Sequence, residues 1–192
     1  MAKVIYLTGA PASGKSSTSR MLVESVPQVL VWEYGARLTD YVKAKTRSVL
    51  NQDDLRAKSA SIVTPEDVAE VDKELLEFVQ NNRSDHSILI DSHPVTKEVY
   101  GYRITPFSLQ QFVELAPDEV WVLYASPGET LRRIATDGGG RPTVTIEEAQ
   151  AHTTLQASVA ATYGVAAGRP VYFFDTAVPQ GELVTRLAGR LT

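Results

Sequence analysis

The chain has 192 residues, of which 43% are hydrophobic and 22% are charged. This length suits one ordinary domain with a hydrophobic core, and the absence of cysteine excludes disulfides and thiolate metal sites. A net charge of −4 gives no general attraction to nucleic acid or to an anionic membrane. No apolar stretch approaches the roughly 20 residues of a membrane span, and the first apolar run is too short for a signal peptide. We therefore expect one cytoplasmic domain, 1–192.

The hydrophobic pattern predicts strands that alternate with helices along the chain. Short apolar runs predict five buried strands, at 4–7, 29–32, 88–91, 120–125 and 171–174. Helical patterns lie between and after them, at about 15–26, 36–46, 53–62, from 64 onward, 109–115, 128–136, 146–163 and 182–191. This alternation is typical of an α/β fold with a mostly parallel sheet that is covered on both faces.

The helix that starts near residue 64 has the clearest start signal. Thr64 can cap it, Pro65 suits the first helical position, and Asp67 completes a pattern like a capping box. An apolar stripe on one side follows, which indicates packing on one face. Its members are Val68, Val71, Leu75, Leu76 and Val79.

Residues 9–16 read Gly-Ala-Pro-Ala-Ser-Gly-Lys-Ser, the spacing of a phosphate-binding P-loop, between a predicted strand and a predicted helix. Gly9 and Gly14 permit backbone turns that point successive N–H groups at an anion, and the positive end of the next helix faces it. Lys15 can reach the β- and γ-phosphates, and the Ser16 hydroxyl can ligate Mg²⁺. We therefore predict ATP and Mg²⁺ as ligands. The predicted phosphate-binding residues are Gly9, Ala12, Ser13, Gly14, Lys15, Ser16 and Ser17.

Asp91 ends the third predicted strand, where a carboxylate in a P-loop sheet can hold Mg²⁺ or one of its waters. A helix-capping or turn aspartate is the alternative. His93 follows closely, and a substrate contact and a structural role are both open for it.

Four arginines stand where phosphoryl transfer can use them: Arg56, Arg132, Arg133 and Arg141. The planar guanidinium suits the alignment and neutralisation of phosphates. Arg132 and Arg133 precede a glycine-rich segment and Arg141 follows it, an arrangement typical of a lid that closes on phosphates. Neighbours on a helix diverge, so one of Arg132 and Arg133 is expected to be a solvated surface residue.

These motifs together resemble the nucleoside monophosphate kinases, in particular the archaeal-type adenylate kinases. Besides the P-loop, the resemblance rests on the Tyr34-Gly35 turn, Asp54-Leu-Arg56, Ile90-Asp91-Ser92-His93, Gly101-Tyr102, Leu131-Arg-Arg133 and Tyr163-Gly-Val165. It implies a three-layer P-loop NTPase fold with a five-stranded parallel sheet of order 2-3-1-4-5. It also implies a helical monophosphate-binding insert, here 35–87, and a short lid, here 137–143.

The resemblance also implies roles for single residues. Arg56 would grip the monophosphate, and Arg132 or Arg133 together with Arg141 would contact the transferred group. The loop 175–179, with Ala177, would hold adenine through backbone groups. Two departures affect the acceptor pocket: Arg103-Ile-Thr-Pro106 replaces a proline- and glycine-rich stretch, and Arg37 is not at the matching place.

Three functions remain open at this point. The leading one is ATP-dependent phosphorylation of a nucleoside monophosphate, AMP or dAMP, with nucleotide substrates and no predicted partner protein. The second is phosphorylation of another small molecule on the same fold, because a fold alone does not choose the acceptor. The third is a nucleotide-binding regulatory module or slow ATPase.

Overall fold

A computed structural model describes residues 2–46, 62–136 and 143–191. The strands are β1 (Val4–Thr8), β2 (Val29–Glu33), β3 (Ser87–Asp91), β4 (Val95–Glu98), β5 (Gly101–Ile104), β6 (Glu119–Tyr124) and β7 (Val171–Asp175). The helices are α1 (Lys15–Ser25), α2 (Tyr34–Lys45), α3 (Pro65–Asn82), α4 (Leu109–Leu115), α5 (Pro127–Thr136), α6 (Ile146–Ala167) and α7 (Gln180–Leu191). Across these ranges, no helix is long and apolar enough to span a bilayer.

Five strands form a parallel sheet in the order β2-β3-β1-β6-β7. Numbered by their order along the chain, these strands stand 2-3-1-4-5, which confirms the α/β P-loop fold expected from the resemblance. The central strand β1 pairs with β3 and β6, with Val4 opposite Ile88 and Leu7 opposite Trp121. The carboxyl ends of β1 and β3 therefore lie side by side, where ligands bind in open α/β sheets.

Side chains that alternate along β1 divide the core into two layers. Val4 and Tyr6 belong to a cluster with residues of α3, α4 and α6, whereas Ile5 and Leu7 belong to one with residues of α1 and α7. Successive side chains of a strand point to opposite faces, so the sheet is covered on both sides. All five residues of β1 are buried, which explains its unbroken apolar run.

The structure differs from the predicted elements in two places. Val95–Glu98 and Gly101–Ile104, for which no strand was predicted, form an antiparallel hairpin. Tyr34 and Gly35, predicted as a turn, instead form the first residues of α2. The capping box of Thr64 and Asp67 at the start of α3 is confirmed. The helix predicted at 53–62 lies almost wholly outside the described residues.

The hairpin is attached to the first turns of α6. The Tyr102 hydroxyl donates a 2.7 Å hydrogen bond to the Glu148 carbonyl, and Lys97 pairs with the Glu148 carboxylate at 3.0 Å. His152, one turn further along α6, is buried with Nε2 3.1 Å from the Val95 carbonyl oxygen. Burial lowers the pKa of His152, so its ring is held neutral against β4.

Candidate active site

The loop between β1 and α1 has the backbone of an anion-binding nest. Ala12 and Gly14 have positive φ angles of 61° and 84°, and helical bonding starts with the Thr18 N–H donating to the Gly14 carbonyl at 3.0 Å. Ser13 between them is buried, and its Oγ has no hydrogen-bond partner among the described residues. Left-handed residues in such a loop turn successive N–H groups toward one point. The predicted phosphate-binding loop thus has the conformation that phosphate binding requires.

Gly9 is required here because the loop passes close to its neighbour strand. A Cβ at this position would lie 2.3 Å from the Leu123 carbonyl oxygen and 2.6 Å from Ser13 Oγ. Real Cβ atoms do not approach other atoms so closely, so any side chain at this position would displace the loop from β6. The packing of β1 against β6 therefore fixes where the loop begins.

Lys15 and Asp91 are brought together at the carboxyl ends of β1 and β3. Lys15 Nζ lies 3.4 Å from Asp91 Oδ1, and the two side chains are only 12% and 11% exposed. Ser16, on the first turn of α1, is exposed to solvent. His93 follows β3 directly and is half-buried.

The oxygen donors at this place fit a hard divalent cation. Ser16 Oγ and the Asp91 carboxylate are the donor types that Mg²⁺ uses, and Mg²⁺ normally retains waters and phosphate oxygens as further ligands. Among the described residues, no group of three or more His, Asp or Glu side chains forms an all-protein metal site. These two side chains therefore suit a cation that is bound together with phosphates, rather than one held by the protein alone.

A cavity of about 510 Å³ opens beside the P-loop. It runs from Gly14, the residue before α1, to Ala177 in the loop after β7, the loop for which the family resemblance implies adenine binding. Its volume lies in the usual range of small-molecule sites, roughly 300–1,000 Å³. The lining residues are Gly14, Ser17, Thr18, Glu129, Arg132, Arg133, Thr176, Ala177, Val178, Gln180 and Leu183.

Arg133 bridges the two ends of this cavity. Its NH1 donates to the Ala12 carbonyl at 3.1 Å and to Thr176 Oγ1 at 2.8 Å, and its NH2 donates to the Thr176 carbonyl at 2.6 Å. Its Nε donates to Glu129 at 2.7 Å. The guanidinium is thereby fixed between the P-loop and the loop after β7.

Arg132 is held differently from its neighbour. Its Nε and NH2 both donate to the Glu129 carboxylate at 2.7 Å, and its side chain is 65% exposed. The hydrogen bonds from Arg132 and then from Arg133 lower the pKa of Glu129 to about 2, so this carboxylate is charged at neutral pH. Glu129 was not predicted as a site residue, although its spacing of three and four residues from the arginines is the spacing of helix ion pairs.

The other arginines named from the sequence are Arg56, Arg141 and Arg37. Arg56 and Arg141 lie outside the described residues. Arg37 stacks its guanidinium on the Trp32 ring, 4.6 Å from the ring centroid. Sequence reasoning also missed the buried Asp72, which accepts a 2.7 Å hydrogen bond from the Tyr34 hydroxyl between α2 and α3.

The sequence of this chain is similar to those of known kinases. A family model described as "AAA domain" matches residues 8–150, from the end of β1 into α6. Adenylate kinase of Pyrococcus furiosus is 24% identical over 165 residues, which cover 84% of this chain and 80% of that protein. Dephospho-CoA kinase of Staphylococcus haemolyticus is 25% identical over 174 residues, which cover 83% and 81%.

Structural comparison extends the likeness of fold over nearly the whole chain. A sugar kinase from Janibacter superposes with a TM-score of 0.57 at 14% identity, covering 98% of this chain and 94% of that one. The tunicamycin resistance protein of Deinococcus radiodurans superposes with a TM-score of 0.62 at 13% identity, covering 99% and 95%.

Proposed function

The chain belongs to the AAA domain family, a family of P-loop kinases, and we propose that it transfers the γ-phosphoryl group of ATP to a nucleoside monophosphate, AMP or dAMP. One observation carries this proposal. The nest of the P-loop, the Lys15–Asp91 pair and the cavity at Gly14 adjoin one another at the carboxyl edge of the sheet. A nucleoside triphosphate laid across them has its phosphates on the loop and its base toward Ala177.

The chemistry required of the protein is positioning and charge neutralisation. An acceptor oxygen attacks the γ-phosphorus, a new P–O bond forms, and the bond to the bridging oxygen breaks to leave ADP. The backbone N–H groups of the nest and Lys15 hold the charge on the phosphates. Ser16 and Asp91 would hold Mg²⁺ together with the phosphates, and the ion would supply further charge neutralisation at the transferred group.

The acceptor is assigned on three grounds. The Asp91-Ser92-His93 element resembles that of archaeal-type adenylate kinases, and one of the relatives is named adenylate kinase. The helices α2 and α3 also lie between β2 and β3, where the resemblance implies a monophosphate-binding insert. Arg56 would hold the acceptor phosphate, and Arg141 the transferred group. The second candidate is another small-molecule acceptor. It is favoured by the relative named dephospho-CoA kinase, which is about as similar to this chain as the adenylate kinase is. It is also favoured by Arg37, which is not at the place that matches the monophosphate kinases and stacks on Trp32.

A screen of acceptors at fixed ATP and Mg²⁺ tests this proposal. We expect ADP to form only when AMP or dAMP is added, measured by coupled detection of ADP. Turnover that depends instead on a sugar, a nucleoside or a cofactor precursor would select the second candidate. Tight nucleotide binding with slow, acceptor-independent hydrolysis would identify a regulatory ATPase and refute both kinase assignments.

A further inference from the structure

We propose that Arg133 is a positioning residue that holds the P-loop against the loop after β7, and that Arg132 is the arginine of α5 that contacts phosphate. This inference rests on the proposed function only in that a nucleoside triphosphate occupies the cavity. It needs no particular acceptor. The sequence does not show which of these two adjacent arginines contacts phosphate, and the inference assigns a different role to each.

The first argument is the number of protein acceptors on Arg133. Four hydrogen bonds leave its guanidinium, to Glu129, to Ala12 and twice to Thr176. These use most of the N–H donors of an arginine. A guanidinium bound in this way has little capacity left for phosphate oxygens, and its side chain is only 23% exposed.

The second argument is what those acceptors belong to. Ala12 is the residue of the nest that carries a side chain at a φ angle of 61°, and its carbonyl is held by Arg133. Thr176 is fixed on its other side, where its Oγ1 and its N–H donate to the Tyr124 carbonyl of β6 at 3.0 and 2.8 Å. Arg133 therefore fixes the distance between the phosphate end and the base end of the cavity.

The third argument is the contrast with Arg132. Its guanidinium donates to Glu129 alone among the described residues, in an exposed pair of the kind that contributes little to stability. Its remaining N–H donors are uncommitted beside the same cavity. A triphosphate carries more negative charge than the Glu129 carboxylate. Arg132 can therefore transfer its hydrogen bonds from Glu129 to phosphate at little cost in free energy.

The two roles respond differently to ligand and to substitution. ATP spans both ends of the cavity and depends on their spacing, whereas inorganic tripolyphosphate occupies only the P-loop. Lysine preserves the charge of an arginine but cannot donate in a planar fork to several acceptors. A phosphate contact is therefore largely preserved in a lysine variant, and a multidentate bridge is not.

The experiment measures dissociation constants of ATP and of tripolyphosphate by calorimetry for R133A, R133K, R132A and R132K, with circular dichroism to check folding. We expect R133A and R133K to weaken ATP binding alike, by about tenfold or more, and tripolyphosphate by less than about threefold. We expect R132A to weaken both ligands alike, by about tenfold, and R132K to stay within about threefold of the wild type.

A R133K variant that binds ATP normally, beside a R133A variant that loses both ligands equally, would make Arg133 a phosphate contact and overturn the inference. Should the Arg133 variants fail to fold, T176V removes one acceptor of the bridge without changing charge. We expect it to weaken ATP binding about three- to tenfold and to leave tripolyphosphate unchanged; unchanged ATP binding would refute the bridge. No binding of ATP to the wild type would instead refute the proposed function itself.

Discussion

Lys15 Nζ lies 3.4 Å from Asp91 Oδ1, although Lys15 begins α1 and Asp91 ends β3. The pairing of β1 with β3, Leu7 opposite Asp91, produces this approach. The ion pair holds both side chains beside the P-loop, at a site that is mostly shielded from water. In the proposed function, phosphate and Mg²⁺ would replace this pair, because each would supply one partner with a new opposite charge.

Replacement of Lys15 by alanine would remove the cation that is proposed to meet the β- and γ-phosphates. We expect the turnover number to fall by orders of magnitude, because this contact strengthens as the phosphoryl group moves. Steady-state assay of ADP formation measures the effect. The control is Arg169→Ala, which removes a positive charge from an exposed position between α6 and β7 and should retain activity. Near-normal turnover by Lys15→Ala would contradict a catalytic P-loop.

Asp91→Asn tests the metal role of the second member of the pair. The amide keeps the shape of the carboxylate but lacks its charge, so we expect half-maximal activity to require a higher Mg²⁺ concentration. Titration of Mg²⁺ at saturating ATP gives that concentration. Asp85→Asn is the matched control, since Asp85 is exposed just before β3. An unchanged titration together with a large drop in melting temperature would show that Asp91 is structural.

Arg56 and Arg141 are expected to act on different phosphates, and kinetics separates them. Arg56→Ala should mainly raise the acceptor KM, because it removes binding common to the ground and transition states. Arg141→Ala should mainly lower kcat, because its contact forms with the transferred group. Each loss corresponds to roughly 1.5–3 kcal/mol, or about a ten- to hundredfold effect. Unaltered acceptor KM and kcat in Arg56→Ala would favour the other small-molecule acceptor.

The stability of the protein should depend on pH through Asp72. Burial raises the pKa of Asp72 from 3.8 to about 6, although the hydrogen bond from Tyr34 opposes this shift. The folded protein then binds the proton more tightly than the unfolded chain does. The stabilisation is complete below about pH 4 and is lost as the pH rises through about 6.

The amide in Asp72→Asn does not titrate. As the pH rises, the free energy of unfolding of this variant should therefore increase relative to that of the wild type. We expect a relative gain of about 1–2 kcal/mol between pH 4 and pH 7.5. Urea denaturation at the two pH values measures it, with Asp85→Asn as the exposed-carboxylate control. A difference between variant and wild type that is the same at both pH values would mean that Asp72 does not titrate in this range.

The central strands of the sheet could be predicted from sequence because β1, β3 and β6 are buried on both faces. Val4 to Leu7 and Ile88 to Ile90 are continuous apolar runs, and such runs can be recognised in a sequence without knowledge of tertiary contacts. The hairpin β4–β5 could not be predicted in this way. Its strands contain Lys97, Glu98 and Arg103, and they are joined at Val99-Tyr100 rather than at a typical Asn-Gly or Asp-Gly turn. It is attached to α6, a contact between distant parts of the chain that a local pattern does not show.

The conformation of the P-loop end of the candidate site could be predicted from sequence, whereas the bridge at its other end could not. Gly9, Lys15 and Ser16 are fixed by local spacing along the chain, and local spacing is visible in a sequence. Thr176 is 43 residues further along the chain than Arg133. The two residues meet only because β7, which Thr176 follows, lies beside β6. Its neighbour Arg132 has the same chemistry, so only three-dimensional contacts distinguish the two.

The central position of β1 also affects how the chain folds. β1 is made before either of its partners, since Val4 pairs with Ile88 and Ile5 with Glu119. During synthesis, the apolar residues of β1 stay unpaired until most of the sheet has left the ribosome. Non-local pairing of this kind slows folding. The P-loop obtains its fixed starting point against Leu123 only when β6 has docked. We therefore expect the phosphate-binding conformation of the P-loop to form at a late stage of folding.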